Sequence, residues 1–103
     1  MKVVADMDIP FLEGVFEPYG EVVYKKGLEI SHEDVLDADA LVVRTRTRCD
    51  AALLEGTSVK MVATATIGRD HIDLGYCRNA GIVGVGHVGS KIEAMAEYLG
   101  FNI

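Results

Sequence analysis

Short apolar runs alternate with amphipathic stretches along the whole of this 103-residue chain. The runs have the length of buried strands, and the stretches between them have the length of short helices. Strict alternation of this kind is typical of βα units arranged around a parallel sheet. The predicted strands span residues 2–6, 21–24, 40–44, 59–64 and 82–85.

Capping residues mark the predicted helices between these strands. Ser31 followed by Asp34 is a weak capping box, Asp50 and Asp73 precede two further helices, and Gly81 suits the C′ position. The predicted helices span residues 10–19, 32–36, 51–54, 74–79 and 88–99. Together these elements predict one α/β domain over residues 1–103. Its expected fold is a flavodoxin-like doubly wound five-stranded parallel sheet of order 2-1-3-4-5, in a three-layer αβα arrangement.

Polar residues and glycines follow several of the predicted strands. Right-handed crossovers place the carboxyl ends of parallel strands at one edge of the sheet, where ligands bind in folds of this class. The residues expected at this edge are Asp6 and Asp8, then those of 44–47, 64–68 and 84–89. Asp6 and Asp8 are expected to be loop and cap residues, and no metal site is predicted.

Residues 84–89 read GVGHVG, a G-x-G-x-x-G motif placed after a predicted strand and before a predicted helix. In that setting the glycines allow a tight turn and a close approach of the backbone to a pyrophosphate. The candidate cofactor-binding residues are Gly84, Gly86, His87, Val88 and Gly89. The alternative is that these glycines only form a compact strand-to-helix turn. The acid expected about 20 residues further on, which would hold a ribose, has no counterpart in these 103 residues.

The composition narrows the possible partners. A formal charge of −6 and a pI near 4.9 argue against nucleic-acid binding, and no apolar run approaches membrane-spanning length. Arg44, Arg46 and Arg48 form a local cluster that leaves a small anion as a possible ligand. Cys49 and Cys77 lack metal-site spacing and are expected to be reduced thiols, which predicts a cytoplasmic protein.

Four segments carry a family resemblance: VVAD at residues 3–6, DADALVVR at 37–44, TATIGRDHID at 64–73 and GIVGVGHVGS at 81–90. With these segments the chain resembles the 4-phosphoerythronate dehydrogenases, which are vitamin B6 pathway enzymes of the D-2-hydroxyacid dehydrogenase superfamily. The resemblance implies an NAD-dependent oxidoreductase as the parent. Residues 1–82 are similar to the start of the family's substrate domain, and residues 81–103 are similar to the first βα unit of its Rossmann domain. Since these pieces are not adjacent in the family, we expect an engineered or naturally deleted chimera in which that unit replaces the fifth βα unit.

The resemblance also suggests site residues. Thr45 and Thr66 match substrate-contacting positions of the family, and Arg44 lies beside them. Both threonines could instead be β-branched strand residues whose hydroxyl groups satisfy loop backbone. The family's catalytic Arg, Glu and His lie in a region of the nucleotide domain that has no counterpart in these 103 residues, so the resemblance carries none of them over. His87 lies inside the glycine motif, and His71 is expected to order a turn. The predicted function is therefore that of a folded, catalytically silent fragment or chimera that retains no NAD.

Other readings of the sequence stay open. The glycine-rich loop could keep weak nucleotide or phosphate binding, and full dehydrogenase activity would require complementation by another chain. A phosphoacceptor receiver domain is rejected, because Arg44 and Gly84 stand near where that fold needs an Asp and a Lys. Partial exposure of Ile92, Met95 or Phe101 would favour a weak homodimer over a monomer.

Overall fold

A computed structural model describes residues 2–9, 14, 16–64 and 71–86, and the structural statements below concern these residues. Five strands form one sheet: β1 (Lys2–Asp6), β2 (Glu21–Lys25), β3 (Ala40–Val43), β4 (Met61–Thr64) and β5 (Val83–Gly86). All pairs are parallel, and the strand order is β2-β1-β3-β4-β5. The predicted α/β class with a parallel sheet is therefore confirmed.

Three short helices accompany the sheet: α1 (His32–Val35), α2 (Ala51–Leu54) and α3 (Leu74–Asn79). Two 3₁₀ turns, Glu17–Tyr19 and Gly27–Glu29, flank β2. The predicted helix over residues 10–19 is wrong at its end, since Pro18 lacks an amide hydrogen and the chain forms a 3₁₀ turn there. The rest of that helix and the predicted helix over residues 88–99 lie outside the described residues.

The predicted helix caps are confirmed. The Asp50 carboxylate accepts a hydrogen bond from the Leu53 amide at 3.3 Å, and the Asp73 carboxylate accepts one from the Tyr76 amide at 3.0 Å. Gly81 follows α3 with φ +74°, a left-handed backbone conformation that residues with a side chain rarely adopt.

The Ser31–Asp34 pair also forms as predicted. The Asp34 carboxylate accepts the Ser31 amide at 2.9 Å and pairs with the Lys25 ammonium at 2.8 Å. The hydrogen bond from Lys25 is the largest of the contacts that lower the pKa of Asp34. Asp34 therefore links α1 to the end of β2 as well as capping the helix.

The strands β1, β3 and β4 are buried on both faces, as expected for parallel strands whose sequences are continuous apolar runs. On one face Val4, Leu41, Val43 and Val62 pack in a cluster that includes apolar residues of α1, α2 and α3. On the other face the cluster contains six strand residues and Phe16: Val3, Ala5, Ala40, Val42, Met61, Ala63 and Phe16. This packing holds the strands in place on both faces, and the candidate site lies at their carboxyl ends.

No helix within the described part of the chain has the length and apolar character needed to cross a membrane. That finding agrees with the absence of a long apolar run in the sequence.

Both cysteines are free and buried in the structure. Burial is the main cause that raises the pKa of Cys49 to about 12, and neighbouring Cys77 and Asp50 raise it further. Burial also raises the pKa of Cys77. Because the thiolate is the reactive form, both side chains are chemically protected in the folded protein.

We expect iodoacetamide in mildly alkaline buffer to leave the folded chain unmodified and to add two groups once guanidinium unfolds it. Mass spectrometry of the intact chain measures this directly, with the unfolded sample as the control. Rapid addition of one group to the folded chain would show that Cys49 or Cys77 is accessible, contrary to the structure.

Candidate functional site

The candidate site lies where β1, β3 and β4 end side by side. The parallel register pairs Ala5 with Val42 and Val43 with Thr64, so the strand ends at Asp6, Val43 and Thr64 lie at the same edge of the sheet. Residues 44–48, here called the arginine loop, cross this edge between β3 and α2. β3 ends at Val43, so the prediction that the strand includes Arg44 is wrong, and Arg44 belongs to the loop.

The arginine loop presents its charged side chains to solvent. Arg44 is half-buried, whereas Thr45, Arg46 and Arg48 are exposed. Arg48 pairs with Asp50 at 3.2 Å, but neither Arg44 nor Arg46 forms an ion pair with any described residue. The arginine loop therefore presents two guanidinium groups that pair with no carboxylate of the described residues. Such a site attracts small anions.

The backbone of the arginine loop is fixed at several points. The amide of Thr47 donates to the carbonyl of Arg44 at 3.5 Å, which closes a turn. The buried Thr47 hydroxyl donates to the carbonyl of Gly27 at 2.8 Å. Beyond the loop, the amide of Cys49 donates to the carbonyl of His71 at 2.7 Å. The loop therefore has one well-defined position relative to the sheet.

His71 contributes to the structure of this edge. It is buried, and its Nε2 lies 3.1 Å from the Thr64 hydroxyl at the end of β4. Its backbone carbonyl anchors Cys49, and Cys49 and Ile72 form an isolated parallel bridge. These contacts agree with the prediction that His71 orders a turn. The sequence does not predict the Thr64–His71 contact. It shows only that a strand ends in threonine and that a histidine follows in the next segment.

Asp6 is buried at the end of β1, with 1% of its surface exposed. Its Oδ1 accepts the Asp8 amide at 2.9 Å, so it caps the turn after the strand as predicted. Its Oδ2 has no hydrogen-bond partner among the described residues. A Cβ placed on Gly27 would lie 2.5 Å from this oxygen and 2.9 Å from the Cβ of Arg46. Gly27 is thus required by close packing between β1, β2 and the arginine loop.

Metal chemistry has no support in the described part of the chain, where no group of three His, Cys, Asp or Glu side chains could hold a metal ion. Asp8 is exposed at the surface and lies in the turn after β1.

The glycine motif begins inside a strand. β5 contains Gly84 and Gly86, which pair with Val62 and Thr64 of β4. The predicted strand over residues 82–85 is therefore one residue out of place, because the parallel register carries the strand to Gly86. His87, Val88 and Gly89 lie outside the described residues, as does Thr66 of the predicted substrate site.

A cleft of about 300 Å³ opens beside the arginine loop, between the turn Gly27–Glu29 and α2. Its lining is mixed: apolar side chains of Leu28, Ile30 and Leu53 lie beside polar ones, among them Arg46 and Arg48.

Comparison with known proteins gives consistent matches. The family model for the catalytic domain of D-isomer specific 2-hydroxyacid dehydrogenases matches residues 1–101. An erythronate-4-phosphate dehydrogenase of Bacteroides fragilis (strain YCH46) is 49% identical over 100 residues, which cover 96% of this chain and 29% of that relative. The chain therefore spans less than a third of the length of this relative.

Solved structures of the same class share the fold. An NAD⁺-bound 3-phosphoglycerate dehydrogenase of Entamoeba histolytica superposes with a TM-score of 0.68 at 32% identity, covering 84% of this chain and 32% of that one. A D-lactate dehydrogenase of Aquifex aeolicus, complexed with NAD and lactic acid, superposes with a TM-score of 0.70. It is 22% identical over 95% of this chain and 31% of its own, and shows the fold alone.

Proposed function

The chain belongs to the D-isomer specific 2-hydroxyacid dehydrogenases, and we propose that it forms the substrate-recognition part of an NAD-dependent erythronate-4-phosphate dehydrogenase. The observation that carries this proposal is the arginine loop. It holds Arg44 and Thr45 at the ligand edge of the sheet, with no ion pair to described residues and with a backbone fixed by hydrogen bonds.

The chemistry of the loop suits such a substrate. Erythronate 4-phosphate carries a carboxylate at one end and a phosphate at the other. A guanidinium group binds either anion through paired N–H donors, and a hydroxyl group can donate a further hydrogen bond. We therefore assign anion binding to Arg44 and Thr45, and by resemblance we keep Thr66 as a predicted third contact.

The dehydrogenase reaction also needs NAD, which accepts or supplies the hydride when it is bound. Among the candidate cofactor-binding residues only Gly84 and Gly86 belong to the described part of the chain, and both pair with β4, so the described residues contain no complete NAD site. The family's catalytic Arg, Glu and His have no match among the 103 residues. We therefore propose that the 103-residue polypeptide binds substrate-like anions without turning them over. A reducing, cytoplasmic location also remains our prediction, supported by the two buried free thiols.

The chimeric origin of residues 81–103 likewise remains a proposal. One support is the G-x-G-x-x-G motif. The other is that β5 lies beside β4, in the place that a fifth strand of the substrate domain would occupy. The catalytic-domain match includes residues 81–101 as well.

The proposal is tested by recording backbone amide NMR spectra during titration with erythronate 4-phosphate and, separately, with inorganic phosphate. We expect saturable shifts at Arg44 and Thr45. The Arg44→Ala variant is expected to weaken binding at least about tenfold, because it removes a charge-assisted hydrogen-bond donor. Lys60→Ala is the matched control, since this exposed cation precedes β4 at the opposite edge of the sheet.

Unchanged spectra at high ligand concentration, or equal affinity for the Arg44→Ala variant, would overturn the proposed function. Titration with NADH tests the alternative. Saturable shifts at residues 84–90 would establish weak nucleotide binding at the glycine motif, and would contradict the proposal that these residues hold no cofactor.

A further inference from the structure

We propose that Thr47 is a positioning residue for substrate binding, which it serves by holding the arginine loop against Gly27. This inference rests on the proposed function, because Thr47 would act by positioning the loop whose Arg44 and Thr45 are proposed to bind the anion. Thr47 itself does not touch the ligand. The contact joins two segments that are 20 positions apart in the chain.

The Thr47–Gly27 contact lies away from water. Thr47 is 3% exposed, and its hydroxyl donates to the Gly27 carbonyl at 2.8 Å. Around Gly27 the packing is close: an added Cβ would meet the Thr47 hydroxyl at 3.2 Å and the Cβ of Arg46 at 2.9 Å. The absence of a side chain on Gly27 therefore lets the loop approach closely enough for the hydrogen bond to form. A buried carbonyl that loses its donor is costly, so the loop has a strong preference for this position.

The Thr47 hydrogen bond acts on the ligand-facing residues in particular. Thr47 is two positions from Thr45 and three from Arg44, whose side chains make no hydrogen bond or ion pair to the described residues. Their positions are therefore set by the loop backbone. The start of α2 is held independently, by the backbone bonds from Cys49 to His71 and from Asp73 to Cys49. Loss of the Thr47 hydroxyl would therefore release the middle of the loop while leaving β3 and α2 in place.

The chain offers a matched control for this hydrogen bond. The Thr57 hydroxyl donates to the carbonyl of Leu54 at 2.7 Å, after α2 and away from the arginine loop. Thr57→Val and Thr47→Val each remove one threonine hydroxyl that bonds a backbone carbonyl. They differ in whether the arginine loop is affected.

The experiment measures the dissociation constant for erythronate 4-phosphate by NMR titration of the full 103-residue chain, with urea unfolding of each variant alongside. We expect Thr47→Val to raise the dissociation constant about tenfold and Thr47→Ser, which keeps the hydroxyl, to stay within about threefold of the parent. Thr57→Val is expected to lower stability without changing the dissociation constant. Since each tenfold change in affinity corresponds to about 1.4 kcal/mol, these differences are well within the range of the titration.

Parent-like affinity in Thr47→Val would overturn the positioning role while leaving the proposed function intact. Equal weakening in Thr57→Val would show that affinity follows stability alone, and would overturn it as well. If Thr47→Val gives a collapsed amide spectrum, the comparison of Thr47→Ala with Thr47→Ser decides the matter in the same way. Absence of saturable binding by the parent chain would instead refute the proposed function, and the inference with it.

Discussion

We expect the Leu41→Ala substitution to lower the free energy of unfolding by about 2–5 kcal/mol, the largest effect of any single change considered. Leu41 has none of its surface exposed, and it lies in β3, in register with Val4 of β1 and Val62 of β4. Strands on both sides and helices above prevent the surroundings from collapsing into the space left behind. For a small domain, with a total stability of about 5–15 kcal/mol, such a loss is a large fraction of the whole.

Urea unfolding followed by circular dichroism measures this loss. Leu28→Ala provides the control, because it removes the same atoms from a side chain that is 76% exposed. We expect the control to stay within about 0.5 kcal/mol of the parent. Similar losses in the two variants would mean that Leu41 is not at the centre of the core.

The fold could be predicted because the strands of a parallel sheet are buried on both faces. Segments such as Ala40–Val43 and Met61–Thr64 are then apolar throughout, and turn and cap residues separate them from the helices. The caps at Asp50 and Asp73 were predictable for a related reason. A cap is a contact between residues two or three positions apart, which the sequence displays directly.

The errors at strand ends have a different origin. β2 extends to Lys25 because Asp6 of β1 pairs with it, and β5 extends to Gly86 because Thr64 pairs with it. Pairing across a sheet joins residues that are far apart in the chain, and no local pattern records its register. The predicted strand over residues 82–85 therefore stops before Gly86, although this second glycine of the motif still pairs with β4.

The candidate site was predictable only in part for the same reason. Arg44 and Thr45 could be assigned to the ligand edge, because the predicted buried strand over residues 40–44 ends at Arg44 and Thr45 follows it. The contacts that fix their loop could not be predicted, since Thr47 and Gly27 belong to different βα units. The sequence contains both residues, but only the fold shows that Gly27 faces the Asp6 carboxylate and the arginine loop.

The second large effect is expected for Gly27→Ala, which we predict lowers the free energy of unfolding by about 1–3 kcal/mol. Its new Cβ would stand 2.5 Å from Oδ2 of Asp6 and 2.9 Å from the Cβ of Arg46. The first atom belongs to a buried side chain held by the Asp8 amide, and the second is attached directly to the backbone of the arginine loop. Neither atom can retreat without moving a strand end or the loop.

Gly75→Ala is the matched control for this substitution. A Cβ on Gly75 would have only an ordinary contact, 3.6 Å from an Asp73 carboxylate oxygen. Gly75 lies in α3, where alanine is favoured over glycine by up to about 1 kcal/mol. We therefore expect Gly75→Ala to be neutral or stabilising in the same urea experiment. Equal destabilisation by both substitutions would show that the cost comes from the change of residue type and not from close packing.

A double-mutant cycle with Asp6→Ala identifies which contact causes the loss. If Oδ2 of Asp6 is the main obstacle, Gly27→Ala costs less in the Asp6→Ala background, and the two changes couple favourably by about 0.5 kcal/mol or more. Additive losses would place the obstacle at Arg46, and the arginine loop would then have to shift. In that second case Gly27→Ala would also weaken phosphate binding, which connects the packing around a single glycine to the affinity of the site for its anion.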